Sequence, residues 1–130
     1  KLHPNHSKIE RVRIMAICND YTNIKSSDAS VHDLAEAADI IVTQNSAAGF
    51  EALMQQKPVI PCARSDFWHA TLSPRTPGEL VEALRFGADA MADFNYAKYL
   101  YWFLDRKCLE PQKQEFGTRA FARIRDKAFL

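Results

Sequence analysis

The chain has 130 residues, 47% of them hydrophobic and 25% charged, which is enough for one core and too apolar for a disordered or fibrous chain. Its 17 basic and 16 acidic residues leave a formal net charge of +1, so no broad field favours nucleic acid or an acidic surface as partner. Cys18, Cys62 and Cys108 are scattered and form no C-x-x-C pair, which argues against a disulfide framework or zinc knuckle and fits a reducing cytoplasm, and no apolar run reaches the roughly 20 residues of a membrane span.

Lys1-Leu2-His3-Pro4 reads as the tail of a strand followed by a turn, because Pro4 holds His3 away from helical geometry. No initiator methionine precedes it, so the sequence reads as part of a longer polypeptide whose first strand lies upstream. From Ser7 to Cys18, the helical spacing of Ile9, Val12 and Ala16 competes with β-branched alternation at Val12 and Ile14, and a helix is favoured. A short strand is expected over Tyr21 to Lys25. A helix follows, capped by Ser30 with Asp33 placed as in a capping box, and ends near Ala38.

Asp39 to Thr43 is a β-branched run without alternation, the pattern of a central strand covered on both faces. Ala47 to Gln56 favours helix, Pro58 cannot continue it, and Val59 to Cys62 forms the next strand, giving a βαβ unit. Thr76-Pro77-Gly78-Glu79 starts a helix that runs to about Phe86, where Gly87 stops it. An aromatic helix is expected from about Ala90 to Cys108, its rings serving packing; another follows Pro111, interrupted by Gly117 and ending basic.

This alternation is that of an α/β chain, a parallel sheet layered with helices, in which ligands bind at the carboxyl ends of strands. Three features fall at such ends: His3-Pro4, Gln44-Asn45-Ser46, and the loop from Ala63 to His69. Between Lys25 and Lys57 there is no Lys or Arg, so an anion bound there relies on backbone N–H groups at the helix start. Ser46 adds a hydroxyl, or simply caps its helix; the two roles are compatible. Gly49 permits close approach, and Glu51 stands where it could reach a ribose hydroxyl. His3, at a strand end, could bind or protonate a leaving phosphate. Metal binding by His3 and His6 is not expected, since no Cys or carboxylate accompanies them at site spacing. The Arg64 to His69 segment is either a wall for a base or sugar, or a packed loop.

Lys1-Leu2-His3-Pro4, followed about 40 residues later by the run from Thr43 to Leu53 and then by Lys57-Pro58-Val59-Ile60, resembles the bacterial capsule polysaccharide biosynthesis and export family of β-Kdo glycosyltransferase-like proteins. The resemblance covers roughly Lys1 to His69. It implies the C-terminal, donor-binding half of a GT-B fold, with residues 1–88 as a Rossmann-like nucleotide-sugar-binding part and residues 89–130 as extra helices packing on it. The implied donor is CMP-Kdo, with no cofactor, and the acceptor a glycan or glycolipid. By the same resemblance, His3-Pro4 and Ser46 match the motifs that hold the donor phosphate, and Glu51 matches an acidic residue near the ribose; Gln44, Asn45 and Gly49 are expected to bind the donor with them. The acceptor-activating base is then expected outside this chain. A cytoplasmic setting, peripheral to the inner membrane or a capsule-assembly complex, goes with that family. Where the family often has a glycine and a tyrosine, the loop here reads Cys62-Ala63-Arg64-Ser65-Asp66-Phe67-Trp68.

Two other readings share these residues. One is an enzyme that moves a polyol phosphate from a CDP-linked donor, which also pairs a His-Pro turn with a serine-opened helix. The other is a non-catalytic interaction domain docking through its aromatic helix.

Overall fold

The computed structural model describes residues 1–3 and 5–128. It is a mixed α/β chain with six α-helices and a two-stranded parallel sheet among the described residues. Helix α1 spans Lys8–Asp20, α2 Val31–Ala37, α3 Ala47–Met54, α4 Pro77–Ala90, α5 Tyr96–Trp102 and α6 Phe116–Ala128; strands β1 and β2 span Ile41–Thr43 and Val59–Pro61.

Helix starts follow side-chain chemistry closely. Ser7 caps α1 in a full capping box, accepting from Glu10 N while Glu10 Oε2 accepts from Ser7 N at 2.8 Å and from its hydroxyl at 2.7 Å. Those bonds, the hydroxyl's first and the backbone's second, hold the Glu10 carboxyl below its ordinary value. Ser30 caps α2 by accepting from Asp33 N. At α4, Thr76 accepts from Glu79 N, and Glu79 reaches back one residue further than a standard box, accepting from Arg75 N at 2.7 Å.

β1 and β2 pair in parallel, Ile41 against Val59 and Thr43 against Pro61, with α3 as the crossover. That is the expected βαβ unit. The end of α3 is a Schellman turn: Gln56 N donates to Leu53 O and Lys57 N to Ala52 O, with Gln56 at φ 59° where glycine is the usual occupant.

The strands differ in burial. Val59 and Ile60 are wholly buried, and Val59 joins Leu53 and Ala52 of α3 at the centre of the core. In β1, by contrast, Val42 is 49% exposed, so the expectation of a strand covered on both faces is corrected. The β-branched run signals strand but not coverage: among the described residues β1 pairs on one side only, whereas β2 has β1 on one edge and Leu72 N bonding Val59 O on the other.

Five further expectations are corrected. Tyr21 to Lys25 is a turn closed by Ile24 N to Tyr21 O, not a strand, and Lys1 to His3 belongs to no strand. Gly87 does not stop α4, which continues to Ala90; this glycine is buried where a Cβ would collide with Leu72 Cδ1 and lie 2.9 Å from Ile40 Cδ1, so its smallness admits the loop and strand beneath the helix. The stretch from Ala90 to Cys108 is not one helix: Met91 ends α4, Asn95 caps α5 by accepting from Lys98 N, and Phe103–Lys107 continues α5 as a single π-helical turn. Gly117 lies in the first turn of α6 and does not interrupt it.

Aromatic packing from the C-terminal part closes the core. Tyr96 and Tyr99 are buried with Met91 against Ala52, Leu53 and Val59, and Phe103 meets Phe50 at 4.9 Å between ring centroids. The expected packing role of this helix holds for those rings, while Tyr101 stays 69% exposed. No helix among the described residues is long and apolar enough to cross a membrane.

Candidate functional site

The parallel pair and its crossover dictate where a ligand can sit. β1 ends at Thr43, the chain turns through Gln44 and Asn45, and Ser46 opens α3, so the helix N-terminus points at the space beyond the strand's carboxyl end. A cavity of about 800 Å³ lies there, lined by Gln44, Asn45 and Ser46 together with His3, His6 and Lys1 from the N-terminal segment. Ile40, Ile41, Val42 and Thr43 all line it. Because successive strand residues point to opposite faces, four in a row place the cavity along the outer edge of β1.

Each polar group has a definable state. Ser46 Oγ accepts from Ala48 N at 3.2 Å, so it is a helix cap. Accepting uses an oxygen lone pair and leaves the hydroxyl proton to donate to a bound oxygen. His3 Nδ1 accepts from Asn5 N at 3.1 Å, which fixes the neutral ring with its proton on Nε2, the nitrogen left to donate. The His6 ring stands 5.8 Å from that of His3, and its Nδ1 is buried without a partner. Lys1 brings a cation to the cavity wall that distance along the chain conceals, but its ammonium is held by the carbonyls of Asp28 and Ala29. Lys57 is likewise spent, bonding Glu36 O at 2.8 Å and Ala38 O at 3.0 Å at the end of α2.

Of the residues singled out from sequence, the structure brings His3, Gln44, Asn45 and Ser46 to one cavity. Gly49 is buried elsewhere: a Cβ on it would lie 3.0 Å from the Phe67 ring and 3.0 Å from Thr43 Cγ2, so it lets α3 approach that ring and the strand. Glu51 is exposed on α3 and does not line the cavity. Pro4 lies outside the described residues. Among the described residues no group of three His, Cys, Asp or Glu side chains is placed to hold a metal ion.

The loop from Ala63 to His69 is neither wholly wall nor wholly packing. Ser65 and Phe67 are 6% exposed and belong to the interior, whereas Trp68 is 48% exposed. Ala63 N donates to Gln44 O at 2.9 Å and Cys62 N to Thr43 O at 2.7 Å, tying this loop to the turn before α3. As a result Arg64 and Asn45 share a smaller cavity of about 440 Å³. Sequence reading placed no cation beside the turn, because Arg64 is 19 residues from Asn45; the parallel pairing of β1 with β2 was the available signal.

Compared with protein-family models, with curated proteins and with solved structures, the chain matches none of them.

Proposed function

We infer that the Gln44-Asn45-Ser46 turn holds the phosphate of a nucleotide-linked donor, and that the chain is the donor-binding part of a glycosyltransferase using a CMP-linked Kdo or related sugar. The observation that carries this reading is the convergence of His3, Gln44, Asn45 and Ser46 on one cavity at the carboxyl end of β1. The choice of CMP-Kdo, the capsule context and the GT-B arrangement rest on the sequence resemblance alone.

The chemistry that follows concerns a leaving group. When the glycosidic bond to the donor phosphate breaks, negative charge grows on the departing nucleotide. The N-terminus of α3 contributes about half a positive charge through its N–H groups. The Ser46 hydroxyl donates a further hydrogen bond, and His3 donates from Nε2. Donors aimed at charge as it develops lower a barrier more than they tighten the ground state. The acceptor is activated by a base supplied from outside this chain.

Calorimetric titration with CMP tests the reading. The wild-type chain binds CMP, and Ser46→Ala binds it about tenfold more weakly, the equivalent of one hydrogen bond to a charged group. Equal affinity in the two proteins would remove Ser46 from the site.

A further inference from the structure

A third cavity, of about 410 Å³, opens at the carboxyl end of β2. It is lined by Pro61, Cys62 and Ala63 at the end of the strand, by Arg64 and Trp68 of the following loop, and by the Ser73 to Arg75 segment that leads into α4. Among the described residues, none that lines it is acidic. Asp66, close by in sequence, lines the neighbouring cavity shared with Asn45.

Some cations of the chain are held within the fold, and these two exposed arginines are not. Lys1, Lys57 and Arg123 each bond backbone carbonyls. Neither the Arg64 nor the Arg75 guanidinium has a hydrogen-bond or ion-pair partner among the described residues; Arg75 is tied only through its backbone N–H, to Glu79. Both side chains line the same open cavity, and a guanidinium presents its donors in a fork that matches carboxylate or phosphate. Trp68, half exposed and stacked on His69 at 4.0 Å, gives the same cavity an aromatic wall.

We propose that this cavity is a second oxyanion site, in which Arg64 and Arg75 clamp a phosphate or carboxylate group of a small ligand against Trp68. It stands independently of the donor-phosphate reading, because it uses a different strand end and none of His3, Gln44, Asn45 or Ser46. Its anchorage differs as well: the turn before α3 offers backbone dipoles, whereas this cavity offers full charges.

The test is calorimetry on the whole chain at fixed ionic strength, with inorganic phosphate in one titration and glucuronate in another. A saturable response to phosphate alone assigns a phosphoryl ligand, and a response to glucuronate alone a carboxylate. Whichever anion binds, Arg75→Gln and Arg64→Gln weaken it about tenfold or more. Arg75→Lys, which keeps the charge and loses the fork, also weakens it. Ser46→Ala leaves it unchanged, and Arg75→Gln leaves CMP binding unchanged, so the two sites fail separately. No saturable response to either anion, undiminished affinity in Arg75→Gln or Arg75→Lys, or loss in Ser46→Ala would overturn the proposal.

Discussion

The two strands of this small sheet sit side by side yet live in different surroundings. β2 is buried at every position, between the crossover helix and the loop that returns through Leu72, and the aromatic rings of α5 close over the same core. β1 has one paired edge and one that opens on the cavity, with Val42 half exposed. The difference teaches that stability and binding are divided across one hydrogen-bonded pair. Residues behind β2 hold the fold, and residues beyond β1 are left polar and accessible.

That division is testable by substitution. The largest effect belongs to the β2 side: Leu53→Ala removes a wholly buried side chain and costs about 2–5 kcal/mol in chemical denaturation, with the spread set by how far the site collapses. At temperatures where the variant stays folded, its CMP affinity matches wild type. A large change in affinity there would show that core and cavity are not separate.

Next comes Gly87→Ala, which drives a methyl into Leu72 and Ile40 and destabilises by about 1–3 kcal/mol through overpacking. Were Gly87 a helix glycine with open space around it, the same substitution would be neutral or would stabilise by up to about 1 kcal/mol through helix propensity. Denaturant midpoints of the variant and wild type decide between the two.

The fold was legible where local chemistry decides it. Ser30, Ser46, Thr76 and Pro77 announce helix starts because capping needs only a side-chain oxygen and a nearby N–H. The βαβ unit was legible for a similar reason, since Pro58 breaks the chain between an apolar helix and an apolar strand. What escaped depends on distant partners. Gly87 reads as a stop until Leu72 and Ile40 are seen beneath it. The coverage of Val42 depends on how many strands flank β1. Gly49 carries no local sign that Phe67, 18 residues on, packs against it. In the candidate site, the turn at Gln44 to Ser46 was readable, but Arg64 beside Asn45 required the register of two strands.

Tyr99 provides a smaller test on the packed side. Its hydroxyl is buried without a partner, and burial, with a lesser electrostatic contribution from Cys108, pushes its pKa up to about 12. A raised folded-state pKa contributes stability that is complete below the unfolded value near ~10 and is lost as pH rises to about 12, since only the unfolded chain ionises in that window. Tyr99→Phe therefore flattens the alkaline loss of stability between those values. At neutral pH it costs nothing or stabilises slightly, because an unsatisfied hydroxyl is removed. Thermal melts across the pH series show both effects, and a marked neutral-pH loss would mean that the hydroxyl has a partner.

The smallest expected change is at the end of α3. Gln56→Gly relieves a left-handed backbone at φ 59° and raises stability by about 0.5–1 kcal/mol, without affecting any of the cavities. Equilibrium denaturation resolves a shift of that size.

The open side of β1 is tested most directly by comparing CMP with cytidine on wild type and Ser46→Asp. Aspartate keeps the helix cap, so the turn survives, but it sets a negative charge where the phosphate is held. A phosphate-holding turn gives wild type a preference for CMP over cytidine of about tenfold or more, collapsing to near unity in Ser46→Asp. Equal affinity of wild type for CMP and cytidine, or a preference that survives the aspartate, would contradict it.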